Sequence, residues 1–252
     1  MPNICMNDVT FYSESQKDLS DFYCFLDKGT DGDEPGRFVY LLEALNICPS
    51  GVSHRGNVTW GLGMRVKDCI GICHTANKGG DFYYFSLETE TAWNSDTDFW
   101  AVVTGIYNAR FGTSIKFVNI SEECGVGLYE KTDKNNLFYP QKYRVFVECE
   151  GEEYFMEPQS VNTDLDLSFV LCCYISQTGL PISSQLTENF KWIQRRINNY
   201  FEMNNINGQC YIDKYVVRSI PEVKIDTVPE TELKDSDEEL DNMFNDWVLK
   251  EG

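Results

Sequence analysis

The sequence is poor in basic residues. Its 252 residues include 21 Lys and Arg against 40 Asp and Glu, so the formal net charge is −19. Proteins that bind nucleic acid usually present a basic surface, and this chain has the opposite sign. Direct binding to nucleic acid or to an anionic membrane is therefore not expected. The excess of acid favours either attraction to a basic protein surface or simply high solubility.

The sequence also lacks long apolar runs. No stretch approaches the roughly 18 apolar residues that a membrane span requires. The first eight residues, Met1 to Asp8, contain neither the basic region nor the apolar region of a signal peptide. We therefore expect a cytoplasmic protein. In that reducing compartment the ten cysteines are expected to be thiols.

Sequence motifs of catalysis are missing too. The chain has two histidines, His54 and His74, and no Gly-x-Ser-x-Gly nucleophile elbow or phosphate-binding glycine loop. Cys69, Cys73 and His74 have the spacing of part of a zinc site, but no second ligand pair follows nearby. The alternative to a zinc site is that Cys69 and Cys73 are reduced thiols at the end of a strand. We expect no enzyme, cofactor or metal; the remaining alternative is an enzyme that uses Cys73, His74 or Glu123.

The periodicity of apolar residues predicts an α+β fold. Ser15 and Asp18 form a capping-box pair before a helix that ends at Gly29, and Ser95 and Asp98 form another before a helix that Gly112 ends. The remaining predicted elements are a helix over 36–47, strands over 3–12, 58–72, 82–93, 113–121, 168–176 and 210–220, a hairpin of 137–150 with 153–157, and a long helix over 186–201.

Four short motifs resemble one known family. They are Met1-Pro2-Asn3-Ile4-Cys5-Met6-Asn7, Trp60-Gly61, Thr91-Ala92-Trp93 and Glu122-Glu123-Cys124-Gly125-Val126-Gly127. In this order they resemble the YubB-like ferredoxin-fold proteins of phages and conjugative plasmids, although Ile4 stands where that family has Trp. The resemblance covers residues 1–150. It implies a split β-α-β antiparallel sheet with helices on one face and a mobile-element setting, but no reaction.

The predicted domain organisation has three parts. Residues 1–150 form the ferredoxin-like α+β domain. Residues 151–225 form an α/β extension, with further strands and the long helix, packed on the same or a second sheet. Residues 226–252 form an acidic tail, which carries ten acidic residues and two lysines. Such a tail either keeps the chain soluble or folds onto a basic, partly apolar groove.

Three observations suggest a function: the charge, the missing active site and the family setting. Together they predict a non-enzymatic inhibitor of anti-CRISPR or anti-restriction type. Its acidic surface would mimic nucleic acid and occupy the basic groove of a host nuclease or nucleic-acid-binding complex. The predicted contact residues are five acids and two aromatic anchors of the tail: Asp235, Asp237, Glu238, Glu239, Asp241, Phe244 and Trp247.

A different class of function is the binding of a small anionic ligand such as a nucleotide signal. The aromatic residues Trp60, Tyr83 and Trp93 would stack on the ligand, and Arg65 or Lys67 would bind its phosphate. Outside this set, Lys191, Arg195 and Arg196 form a compact basic group on the long helix. That group would hold an anion or pair with the acidic tail.

Overall fold

The computed structural model describes residues 4–29, 37–45, 55–75, 80–123, 125–182 and 190–222. The chain divides into two units, Met1–Pro221 and Glu222–Gly252, and every helix and strand described below lies in the first. In chain order these elements are β1 (Ile4–Ser13), α1 (Gln16–Gly29), α2 (Phe38–Ala44), β2 (Gly56–Trp60), α3 (Val66–Cys69), β3 (Gly71–Thr75), β4 (Gly80–Ala92), α4 (Thr97–Phe111), β5 (Lys116–Glu123), β6 (Leu128–Lys131), β7 (Tyr143–Cys149), β8 (Met156–Val161), α5 (Asp164–Thr178), α6 (Phe190–Met203), β9 (Gly208–Lys214) and β10 (Val216–Val217). The predicted α+β class is confirmed.

The larger sheet is centred on β1. Its strand order is β10-β6-β5-β1-β4-β2, and β3 pairs with a different part of β4. Strand β1 is antiparallel to both β4 and β5, and β4 is antiparallel to β2 and β3. The central position of β1 explains its alternation of buried and exposed residues, because one face of the sheet is covered by helices and the other only in part.

An aromatic core lies between this sheet and its helices. Phe11 of β1 contacts Phe22 of α1, Phe85 of β4 and Trp100 of α4, with ring centroids 5.0 to 5.2 Å apart. Helix α2 joins the same core through Phe38, whose ring lies near that of Trp100. Aromatic rings contribute large buried areas, so these contacts fix the three helices on one face of the sheet.

A buried polar cluster adjoins the aromatic core. Asp96 precedes α4, and its carboxylate accepts hydrogen bonds from the Thr89 hydroxyl (2.6 Å), the Trp100 indole (2.6 Å) and the Asn119 amide (3.0 Å). Burial raises the pKa of Asp96, and these donors act in the opposite direction. The cluster therefore joins the start of α4 to β4 and β5. The sequence predicted the cap at Ser95, but the N-cap residue is Asp96, whose side chain makes no capping hydrogen bond to the backbone of α4.

The smaller sheet has the order β8-β7-β9 and is antiparallel throughout. Val145 and Val147 of β7 face α5 and α6 in a second apolar core with Leu171 and Ile197. The intervening Phe146 belongs to a third cluster, together with Ile120 of the larger sheet. Successive residues of a strand point to opposite faces, so the two sheets stack face to face with helices outside each.

The sequence prediction for residues 168–176 is wrong. They lie in helix α5, which begins with a complete capping box of Thr163 and Asp166 and ends at Gly179 in the left-handed conformation. A short run of apolar residues does not distinguish a buried strand from a helix that is apolar on all sides. The capping box before the run and Gly179 after it are signals of helix ends, and they favour a helix.

The strand predicted over residues 58–72 is divided in three. Strand β2 ends at Trp60, α3 forms one turn over Val66–Cys69, and β3 follows. Gly61 has a φ of 106° and Gly63 a φ of 76°, both in the region that favours glycine, and the chain leaves the sheet there.

The predicted hairpin is confirmed as β7 and β8, with strand limits 143–149 and 156–161. The predicted domain boundary at residue 150 falls in the turn of this hairpin. The long helix is confirmed over its described part, Phe190–Met203, whose buried side carries Phe190, Ile193, Ile197 and Phe201. The predicted strand over 210–220 is β9 followed by the short β10.

Candidate functional site

One half of the larger sheet presents a row of exposed side chains on the face away from α1, α2 and α4. Cys5, Val9 and Phe11 of β1 point into the helix-covered core, whereas Ile4, Met6 and Asp8 lie exposed on the opposite face. This alternation follows from the two-residue period of a strand. Because the helices bury Cys5, Val9 and Phe11 of β1, the alternate set Ile4, Met6 and Asp8 lies on the exposed face.

Four carboxylates gather on this face. Glu88 of β4 lies directly opposite Asp8, and Glu90 lies opposite Met6. On the other side of β1, Glu122 of β5 also lies opposite Met6. Directly paired residues have Cβ atoms about 5 Å apart. We name the surface formed by Ile4, Met6, Asp8, Trp60, Glu88, Glu90 and Glu122 the acidic face.

The acidic face changes the ionisation of its central residue. Partial loss of hydration, followed by repulsion from Glu88 and Glu122, raises the pKa of Asp8 to about 6. Like charges directly opposite each other in a sheet are destabilising. The folded chain therefore holds negative charge here at a cost, and a cation bound to this face would offset the part of that cost that comes from repulsion.

Cations of the described chain reach only one edge of the acidic face. Arg144 of β7 lies 3.3 Å from Glu122, measured from Nη2 to Oε2, and Tyr215 donates a hydrogen bond to the same carboxylate. Among residues that the structure describes, no lysine or arginine forms a salt bridge with Asp8, Glu88 or Glu90. Most of this charge thus remains available to a partner.

Apolar groups accompany the carboxylates. At the end of β2 a register shift between Val58 and Trp60 places Trp60 opposite Glu88, and Trp60 is 55% exposed. Ile4 and Met6 are each about half exposed. A surface that combines carboxylates with an exposed indole and aliphatic side chains suits a partner with basic and apolar groups together.

The other half of the same sheet face is closed by the segment 132–142. Lys131 binds the carbonyl oxygens of Tyr139 and Gln141, each at 2.7 Å. The hydroxyls of Tyr139 and Thr10 share a hydrogen bond of 2.9 Å, and Phe138 packs on Tyr12. The acidic face is therefore the uncovered end of a surface whose other end is buried.

The predicted contact residues of the tail, Asp235, Asp237, Glu238, Glu239, Asp241, Phe244 and Trp247, lie outside the described residues. The acidic face was not predicted. In the sequence, Glu88 and Glu90 alternate with Leu87 and Thr89, which the structure buries. This alternation was a signal that could have been found. Their meeting with Asp8 and Glu122 depends on strand register, which the alternation alone does not give.

The residues of the predicted anionic-ligand pocket are not brought together. Tyr83 belongs to β4, and Trp60 is aligned with Glu88 of the same strand. These two positions of β4 are five residues apart, which is roughly 17 Å along the strand. Trp93 follows the far end of β4. Arg65 forms a salt bridge with Asp68 (2.6 Å) next to one-turn helix α3, in which Lys67 is exposed.

Cys69, Cys73 and His74 have the spacing of part of a zinc site, although no metal was predicted; Cys69 lies on α3, whereas Cys73 and His74 lie on β3. Cys69 ends α3 and its thiol donates to the Val66 carbonyl oxygen, whereas His74 of β3 contacts Asp81 of β4 at 2.8 Å. Within the described ranges, no group of three His, Cys, Asp or Glu residues could hold a metal ion. Glu123 accepts hydrogen bonds from the backbone of Gly125 and Val126, and so closes the turn after β5.

The basic group of the long helix is exposed on α6. Lys191, Arg195 and Arg196 are all on its solvent side, and the Arg196 guanidinium lies 5.6 Å from the centre of the Trp192 ring. This group is separate from the acidic face, since α6 packs on the far side of the smaller sheet.

Comparison with known proteins gives no relative of this chain: no protein-family model, curated protein or solved structure matches it. In the part of the chain that the structure describes, no helix has the length and apolar character needed to cross a membrane.

Proposed function

We propose that this chain is a non-enzymatic inhibitor that binds the basic, nucleic-acid-binding surface of a host nuclease or related defence complex. The observation that carries the proposal is the acidic face, where Asp8, Glu88 and Glu90 stand together without a described cation. A groove that binds nucleic acid is lined by lysine and arginine, which are the groups this face lacks. The net charge of −19 supports the same partner through long-range attraction.

The energetics of the acidic face favour such a complex. Partial loss of hydration, together with repulsion from Glu88 and Glu122, raises the pKa of Asp8 to about 6, and a lysine or arginine placed against Asp8 would relieve the repulsion. Attraction between opposite charges accelerates association, and buried aromatic residues supply most of the affinity of an interface. In this proposal the carboxylates steer the encounter, and Trp60 and Met6 provide the apolar anchor.

We further propose a ferredoxin-like fold and a mobile-element origin. Support comes from the strand order β5-β1-β4-β2, in which all neighbours are antiparallel. Together with the helices after β1 and β4, this order supports the proposal of a split β-α-β unit. The resemblance of residues 1–150 to YubB-like proteins agrees with it. The tail acids and aromatics remain a separate proposed contact for the same partner.

The experiment begins with capture of host proteins from a lysate, elution by a salt gradient and identification of the bound proteins. The affinity of the purified partner is then measured for the intact chain and for a variant with Asp8→Asn, Glu88→Gln and Glu90→Gln. We expect affinity to fall by more than about tenfold, because three steering and pairing charges are lost. The fall should be smaller at high salt, since salt screens exposed charges.

A matched control removes the same charge elsewhere. Glu150, Glu152 and Glu153 lie exposed in the β7–β8 turn, and their substitution by Gln also changes the net charge by three. If both triple variants bind equally well or equally badly, the acidic face is not the contact surface. If no protein is captured, the alternative of a small anionic ligand gains support, and denatured protein should then release a nucleotide.

A further inference from the structure

Helix α5 has an exposed apolar side that the acidic face does not explain. Its buried side, Leu167, Leu171, Tyr174 and Ile175, packs in the core of the smaller sheet. On its solvent side Leu165 is 72% exposed and Phe169 is 68% exposed. A helix that is apolar on all sides is normally buried on all sides, so the outer surface of α5 is suited to a partner.

The outer surface forms one stripe along the helix. Leu165, Phe169, Cys172 and Ser176 are spaced by four, three and four residues, which places them in a line on one side. The stripe is about 16 Å long, from the rise of an α-helix. Its first half carries the large side chains Leu165 and Phe169, and its second half the small ones Cys172 and Ser176.

The charge of the stripe restricts its partner. No residue from Leu167 to Thr178 is charged, although the chain as a whole carries −19. At the start of the helix, Asp164 is paired with Lys142 at 2.7 Å, and Asp166 is held in the capping box. A basic partner would find no carboxylate to pair with on this stripe. Two copies of this acidic chain, by contrast, can approach each other here without the repulsion that their acidic surfaces produce.

We infer that α5 is the interface of a homodimer. Two copies of α5 related by a two-fold axis run antiparallel, which places Phe169 against Cys172 of the second copy and Leu165 against its Ser176. Each large side chain then meets a small one, and the pairing is the same on both copies, as a two-fold interface requires. The size pattern of the stripe is thus complementary to itself. This inference is independent of the proposed function of the acidic face.

The test is the molar mass of the full chain in solution, measured by sedimentation equilibrium over a wide range of concentration. We expect the wild-type mass to rise to that of two chains. Phe169→Glu should weaken the dimer by at least about 100-fold, because the two-fold axis places two buried carboxylates in one interface. Met203→Glu serves as control, since Met203 is exposed on α6 and its variant should dimerise as the wild type does.

A second pair of variants tests the register and does not depend on added charge. Cys172→Phe alone should weaken the dimer, because two large residues then meet. The exchange of both residues, Phe169→Cys with Cys172→Phe, should restore dimerisation to within about threefold, because each contact again joins a large and a small side chain. Circular dichroism should show all variants folded.

A wild-type chain that remains monomeric at every concentration would overturn the inference and would leave another protein or another part of this chain as the occupant of the stripe. A dimer that survives Phe169→Glu would overturn it equally. If the exchange variant stays as weak as Cys172→Phe, the antiparallel pairing is wrong.

Discussion

Asp8 of β1 and Glu88 of β4 occupy directly opposed positions of an antiparallel pair, on the sheet face away from the helices. Two carboxylates in such a position repel each other, and the repulsion is part of what raises the pKa of Asp8 to about 6. This relationship links the stability of the chain to its proposed binding, because the same charge that weakens the fold would attract a basic partner.

The first prediction concerns Asp8→Asn. Because the pKa of folded Asp8 is about 6 and its ordinary value is 3.8, the protonated form stabilises the fold below pH 3.8 and this contribution is lost as the pH rises through 6. Asp8→Asn should therefore raise the free energy of unfolding at pH 7. The gain should be only about 1 kcal/mol, because solvent screens the exposed carboxylate. Urea denaturation at pH 4 and pH 7 measures the difference, which should be near zero at pH 4. Glu152→Gln, in the exposed turn, provides the control; an equal gain in that variant would contradict the assignment to Asp8.

The second prediction concerns the buried Asp96. Replacement by Ala leaves the Thr89 hydroxyl, the Trp100 indole and the Asn119 amide without their acceptor. Unsatisfied buried donors are costly, so Asp96→Ala should lower the free energy of unfolding by about 3 to 5 kcal/mol. Thr89→Val removes one donor at nearly unchanged volume and should cost less. A loss below 1 kcal/mol in Asp96→Ala, by chemical denaturation, would show that water replaces the carboxylate.

The third prediction compares two phenylalanines. Phe11 is fully buried among Phe22, Phe85 and Trp100, whereas Phe111 at the end of α4 is 44% exposed. Phe11→Ala should destabilise the chain by about 3 to 5 kcal/mol through the cavity that it leaves. Phe111→Ala should cost clearly less in the same thermal or chemical denaturation. Equal losses would contradict the placement of the aromatic core.

The fourth prediction concerns Gly61, which ends β2. Its φ is 106°, and a Cβ there would lie 2.6 Å from the carbonyl oxygen of Ser86. Gly61→Ala should therefore cost about 3 kcal/mol through backbone strain and the clash. Gly151→Ala is the matched control, because Gly151 has a φ of 103° but open space around it, and it should cost clearly less. A similar loss in both variants would mean that φ alone sets the cost.

Several elements could be predicted because their signals are local. The alternation of β1 and the four-residue and three-residue spacings of α1 and α6 are patterns within one segment, and the structure has these elements where the patterns predict them. Helix α5 was predicted as a strand because an apolar run contains no periodicity of its own. Its capping box at Thr163 and its glycine at 179 lie outside the run that was interpreted.

The candidate site was harder to predict because it is not local. The sequence directed attention to the tail, where acids follow one another along the chain. The acidic face joins Asp8, Glu88 and Glu122, which are up to 114 positions apart and become neighbours only through the register of three strands.

The sequence by itself determined the sign and size of the charge, the α+β class and the amphipathic helices, because each is a property of composition or of short-range periodicity. Only the tertiary structure decided which carboxylates stand together and which apolar side of α5 the other described residues leave exposed. Strand pairing and helix packing bring distant residues into contact, and the energy of those contacts, rather than any local preference, selects one arrangement.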